Sequence, residues 1–139
     1  MNKPKSKILI VDDEINVLKL LQRALGGRYE ILVAPTGYEL DMMVNHFEPD
    51  LIIMDLSLPD DNGRDLSLGI RNRLEYDNIG ILILSGLDEP DVAAAAIQGG
   101  ADGYLTKPFD LGTLEATVAH IIASKRKVAG QNAREVAAH

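Results

Sequence analysis

The sequence predicts a doubly wound α/β fold, one parallel sheet of five strands with helices on both faces, from three observations. Five short, β-branched apolar runs alternate with longer segments of helical period. Three of those runs are apolar at every interior position, as a strand covered on both faces must be. The order strand–helix is kept throughout, which implies right-handed crossovers between parallel neighbours.

The first run is Lys7-Ile-Leu-Ile-Val-Asp12, and Ile15, Leu18, Leu21 and Leu25 follow it at three- and four-residue steps until Gly26-Gly27 ends the helix. The second, Tyr29-Glu-Ile-Leu-Val-Ala34, is weaker and is expected nearer an edge. Leu40, Met43, Val44 and Phe47 form the next helical stripe, before Pro49. The third run, Asp50-Leu-Ile-Ile-Met-Asp55, is again wholly apolar inside, and Leu66, Ile70 and Leu74 mark the helix after it. The fourth, Gly80-Ile-Leu-Ile-Leu-Ser85, leads to a helix from Glu89 to Gln98 with little bulk, since 93–96 are all alanine. The fifth, Gly103-Tyr-Leu-Thr106, is short and edge-like. Leu114, Val118, Ile121 and Ile122 give the fifth helix its buried face, over Leu111 to Ser124. The expected division is 1–6 as an N-terminal extension, 7–124 as the folded domain, and 125–139 as a helical extension or a truncated linker. That last stretch has too few large apolar residues to add a layer.

A chain of 139 residues fits one domain with a real core. Its hydrophobic fraction of 46% and charged fraction of 25% are average for a globular protein. There is no cysteine, hence no disulfide, thiolate metal site or thiol nucleophile. The net charge of −7, from 14 basic and 21 acidic residues, argues against direct nucleic-acid binding by this domain. The apolar run after the basic N-terminus stops at Asp12, too soon for a signal peptide, and no segment approaches membrane-spanning length. A cytoplasmic location is expected.

In an open α/β sheet, functional groups gather beyond the carboxyl ends of the strands. Those ends carry Asp12-Asp13 after the first strand, Asp55 closing the third, Ser85 closing the fourth and Lys107 after the fifth. Carboxylates brought that close repel one another unless a cation joins them. All-oxygen ligands without His or Cys suit Mg²⁺, which often shares its site with a phosphate. A carboxylate can itself accept a phosphoryl group. Charge on the transferring oxygens then needs a metal on one side and a fixed cation on the other, here Lys107, with the Ser85 hydroxyl on another oxygen. Each residue alone has an ordinary explanation: Asp12 or Asp13 as a helix cap, Ser85-Gly86 as a turn, Lys107-Pro108 as a solvated loop. Asp55, between Met54 and Leu56 in an apolar run, is harder to explain so, because an unpaired carboxylate there is costly.

With these residues in place, the chain resembles the receiver domains of bacterial two-component response regulators from Lys7 to about Ser124. The matching motifs are Val11-Asp12-Asp13-Glu14, Asp55-Leu-Ser-Leu-Pro59 with Gly63 beyond it, Leu84-Ser85-Gly86, and Gly100 through Tyr104 to Lys107-Pro108-Phe109. The resemblance implies a flavodoxin-like fold with strand order 2-1-3-4-5 and five helices. It implies Asp55 as phosphoacceptor, and Mg²⁺ held by Asp13 directly, by Asp12 through water, by Asp55 and by the Ser57 carbonyl. Ser85 and Lys107 would hold the phosphoryl group, and Tyr104 would be the switch aromatic that follows Ser85. A cis bond at Lys107-Pro108 is also implied, although only about 5–6% of such bonds in folded proteins are cis. The donor would be a sensor histidine kinase or a phosphotransfer protein.

An output domain following residue 139, or a partner on the face of the fourth helix, fifth strand and fifth helix, would read the switch. The fourth helix is Ala-rich, and the fifth has no Arg or Lys before Lys125, so a charge-paired dimer of winged-helix regulators is not expected there. Gly103 stands where that class often has an acidic residue. His46, His120 and His139 lack the context of a phosphodonor. Ser57 and Leu87, flanking the approach of a hydrolytic water, offer it little to bind, so self-dephosphorylation is expected to be slow. On this reading the protein is not an enzyme beyond self-phosphorylation and that slow hydrolysis. Two alternatives share the fold. A flavin-binding electron carrier would need a hydroxyl- and Gly-rich loop where this chain has Asp12-Asp13-Glu14. A Mg²⁺ phosphohydrolase with an aspartyl nucleophile usually has a second Asp where Ser57 stands.

Overall fold

The computed structural model describes the backbone of residues 5–12, 14–34, 37–55, 78–86, 94 and 97–138, and the side chains of these except 37, 38, 41, 55 and 127–138. Five parallel strands form one sheet: β1 (Lys7–Val11), β2 (Glu30–Ala34), β3 (Leu51–Asp55), β4 (Gly80–Ser85) and β5 (Gly103–Thr106). Their order is β2-β1-β3-β4-β5. The expected helices after the third and fourth strands, with Leu66, Ile70, Leu74 and most of Glu89 to Gln98, lie outside the described residues. The helices described are α1 (Ile15–Leu25), α2 (Gly37–Phe47) and α3 (Leu111–Ala138), the last being the fifth of the sequence reading.

Position in the sheet follows from composition. β4 is buried throughout, and Ile8 to Val11 and Leu51 to Met54 are buried as well, so the three central strands tolerate no polar residue inside. β2 alternates between exposed and partly buried residues up to its buried Ala34, and β5 is partly buried throughout, as edge strands are. Side chains alternate between the faces. Leu9, Val11, Ile52, Met54, Ile81 and Ile83 pack with Leu40 and Val44 of α2. Ile8, Ile10, Leu51, Ile53, Leu82 and Leu84 pack with α1 and α3 on the other face.

The inward stripes of α2 and α3 are those the periodicity predicts. Leu114, Val118, Ile121 and Ile122 are all buried, while Met43 and Phe47 sit partly buried on the α2 side. In α1, Leu21 and Leu25 are buried, but Ile15 is 66% exposed and is not a core residue. It opens the helix, in the first turn after β1 ends, and Val17 and Leu18 make the contacts there instead. α2 stops where Glu48 takes a left-handed conformation (φ 52°) and donates its N–H to the Val44 carbonyl, just ahead of Pro49. α3 runs without a break from Leu111 to Ala138. No helix among the described residues is long and apolar enough to cross a membrane.

Candidate functional site

Strand register alone brings the predicted residues to one edge. Val11 pairs with Met54, Asp55 with Leu84, and Ser85 with Thr106. Asp12, Asp55, Ser85 and Lys107 are therefore each within about one residue of their neighbour along the carboxyl edge of four adjacent strands. Asp55 is described as the last residue of β3, without its side chain. Asp13, Ser57 and Leu87 lie outside the described residues.

Asp12 and Ser85 are the two buried polar residues of the described core, 1% and 0% exposed. Both oxygens of Asp12 are engaged. Its Oδ1 accepts the backbone N–H of Glu14 at 2.9 Å. Its Oδ2 accepts a hydrogen bond from the Lys107 ammonium at 3.1 Å. The Lys107 side chain is only 15% exposed, so this is a largely desolvated ion pair, and burying either charge alone would be strongly unfavourable. The same ammonium lies 3.2 Å from Glu14 Oε1. The backbone holds the lysine in place too: Lys107 N–H donates to the Ser85 carbonyl at 2.7 Å, extending the β4–β5 ladder by one residue. The Lys107–Pro108 peptide bond is cis.

Tyr104 pairs with Ile83 in β5 and is partly buried against the cluster on the α2 face. His46 and His120 are exposed on α2 and α3, away from this edge, and His139 lies outside the described residues. Beside Lys107 opens a cleft of about 570 Å³ lined by Glu14, Val17, Leu20, Gly86, Lys107, Pro108 and Phe109.

Among the described residues no group of three or more acidic, His or Cys side chains could hold a metal ion. Of the expected ligands, Asp12 is described, while Asp13, Ser57 and the Asp55 carboxylate are not. The Asp12 carboxylate supplies oxygen donors of the kind Mg²⁺ takes, and in this structure it faces the ammonium of Lys107. The sequence expects Asp12 and Lys107 at one site but does not pair them directly, and it gives Glu14 no contact with Lys107. Glu14 belongs to the acidic run after β1, but nothing in the spacing pairs it with a residue so far along the chain.

Comparison with known proteins gives this arrangement a class. Residues 8–119 match the family described as the response regulator receiver domain. The chain belongs to that family. It is 36% identical over 112 residues to the KDP operon transcriptional regulatory protein KdpE of Escherichia coli, covering 80% of this chain and 48% of KdpE. It is also 36% identical to the aerobic respiration control protein ArcA of the same species, covering 74% of this chain and 42% of ArcA. The chain thus spans about half the length of these curated relatives or less. The crystal structure of a putative response regulator from Chloroflexus aurantiacus superposes with a TM-score of 0.82 at 33% identity, covering 87% of this chain and 99% of that one.

Proposed function

We propose that this domain is a phosphorylation-dependent signalling switch in which Asp55 accepts a phosphoryl group from the histidine of a sensor kinase or phosphotransfer protein. The observation that carries the reading is the buried pair of Asp12 and Lys107 beside Ser85, at the edge where Asp55 closes β3. In the transfer, an Asp55 carboxylate oxygen bonds to phosphorus and the phosphorus–nitrogen bond to the donor imidazole breaks, the ring keeping the electron pair. Asp12, Asp13, Asp55 and the Ser57 carbonyl would hold Mg²⁺, which when bound neutralises charge on the phosphoryl oxygens. Lys107 supplies the opposing fixed cation, its place set by the bond of its N–H to the Ser85 carbonyl. The Ser85 hydroxyl donates to a phosphoryl oxygen, and Tyr104 follows it inward as the output face changes.

The output is read on the face of the fourth helix, β5 and α3, or by a domain following residue 139, to which residues 125–139 would serve as a helical connection. Ile97, 46% exposed near the end of that fourth helix, would offer apolar contact there. In the test, the protein is incubated with Mg²⁺ and a small phosphodonor. One phosphoryl group should be gained, labile to hydroxylamine, and Asp55→Asn should gain none. Equal labelling of that variant would refute the site.

A further inference from the structure

Glu14 occupies the position just before α1, with extended backbone (φ −85°, ψ 108°), yet its side chain makes no capping hydrogen bond to the helix. A short polar side chain (Ser, Thr, Asp or Asn) in that place ordinarily turns back onto the free amides of the first turn, which the longer Glu does not favour. Asp110 does so before α3, where its Oδ2 accepts the N–H of Thr113 at 2.9 Å. Glu14 instead sends its carboxylate across to the ammonium of Lys107, 93 residues away in sequence. Its own N–H is held by Asp12, which also accepts a hydrogen bond from that lysine. The three residues thus form a closed loop of contacts at the end of β1.

We propose that Glu14 is a positioning residue for Lys107, holding its ammonium at the rim of the site until a phosphoryl oxygen competes for it. The inference rests on the reading of Asp55 as phosphoacceptor. An ammonium has three protons to donate, so it can engage an inner and an outer carboxylate together. The two partners differ in kind. Asp12 is buried and fixed through both oxygens, whereas the Glu14 side chain is 58% exposed. Water and salt screen the outer contact, so its hold is weak and readily exchanged. A resting-state holder needs that weakness, because a strong one would oppose every phosphorylation event. When phosphoryl oxygens arrive, Lys107 exchanges the Glu14 carboxylate for one of them, and its stem of four methylenes lets the ammonium shift without moving the backbone.

Glu14→Gln in the full chain tests this, since it removes the charge at an exposed position and keeps the shape. In the metal-free protein, the NMR signals of the Lys107 side-chain terminus should shift and sharpen as the ammonium gains freedom. With saturating Mg²⁺ and acetyl phosphate at low salt, the labelling rate should rise about two- to fivefold, the range an exposed ion pair covers. The ratio of variant to wild-type rate should return to unity near 1 M salt, where the screening length is about 3 Å. Glu14→Asp, which keeps the charge, should lie closer to wild type than to Glu14→Gln. Unchanged Lys107 signals, a rate equal to or below wild type, or a gain that persists at high salt would each overturn the proposal. If wild type itself takes no phosphoryl group, the reading of Asp55 fails, and the Lys107 signals still decide whether Glu14 holds the lysine.

Discussion

The sheet has aspartates at both edges, and each edge uses them in its own way. At the amino edge, Asp50 and Asp102 stand immediately before β3 and β5 and clamp the start of a neighbouring strand. Asp50 Oδ2 accepts the N–H of Lys7 at 2.8 Å while its own N–H donates to the Lys7 carbonyl. Asp102 repeats the device on Ile81, again at 2.8 Å from N–H to Oδ2. Parallel strands all begin at this edge, so amide protons left over by the ladder collect there, and a carboxylate satisfies one. Nearby cations sit outside: Lys125 is 3.0 Å from Asp102, and Arg126 bridges towards Asp50 and Ser6. At the carboxyl edge the strands present carbonyls, and Asp12 there accepts from the amide of Glu14 and from the ammonium of Lys107. Carboxylates at the first edge complete the sheet, whereas Asp12 at the second faces the ammonium of Lys107. Substitutions should therefore separate stability from function according to edge.

The largest separation is expected at Asp13, outside the described residues and beside the buried Asp12. Asp13→Asn should lose measurable Mg²⁺ binding in calorimetry. On the proposed arrangement of Asp12, Asp13 and Asp55 about one Mg²⁺, it should also raise the midpoint of thermal unfolding by relieving like-charge crowding. Tight Mg²⁺ binding with a lowered midpoint would erase the distinction between the edges.

At the amino edge the signs reverse. Gly80 opens β4, and a Cβ there would run into Ile121 Cγ2 and meet Leu51 Cδ1 at 3.0 Å. Gly80→Ala should cost about 2 kcal/mol by overpacking this face. Asp102→Ala leaves the amide of Ile81 without its acceptor, at about 1.5 kcal/mol. Asp50→Ala should cost less than about 1 kcal/mol, since the Asp50 side chain is 37% exposed and water reaches the freed amide more readily. Urea unfolding reads all three, and phosphoryl labelling per folded molecule should match wild type in each. A labelling defect in Asp102→Ala at full folding would show that the edges are coupled.

The same contrast explains what the sequence discloses. β1, β3 and β4 are legible because burial on both faces forbids polar residues inside them, and the weaker runs of β2 and β5 are legible as edges for the converse reason. The residues at the carboxyl edge stand out because Asp55 and Ser85 interrupt or close apolar runs. Asp50 and Asp102 close nothing. They stand at or before the start of runs, where an aspartate looks like any turn residue, and the amides they satisfy belong to residues 43 and 21 positions away. Ile15 misleads for a related reason: periodicity assigns a residue to a helix face but does not say how far along the helix the sheet extends. Glu14 is read locally as part of an acidic run, and only the folded chain brings Lys107 to it.

The smallest expected effect is at Gly103, and it tests how local the close packing of the amino edge is. Gly103 opens β5 as Gly80 opens β4, and the same side chain, Ile121 of α3, lies over both. A Cβ on Gly103 would meet Ile121 Cδ1 and Leu82 Cδ1, both at 3.1 Å, with Thr117 Cγ2 at 3.6 Å. These contacts are tight, but the two closest are the free ends of flexible side chains, on α3 and β4, and Gly103 itself lies on a partly buried edge strand. At Gly80 the clash is with Cγ2, which is fixed by the branch at Ile121 Cβ and cannot turn aside without the whole side chain rotating. Replacing glycine also restricts the unfolded chain, which favours folding by about 0.4–1 kcal/mol where the native backbone is ordinary. At Gly103 that gain and the small packing cost nearly cancel, so Gly103→Ala should change stability by less than about 0.5 kcal/mol in urea unfolding. A loss as large as that of Gly80→Ala would mean that α3 cannot yield at either strand, and that the edge packs as one rigid block.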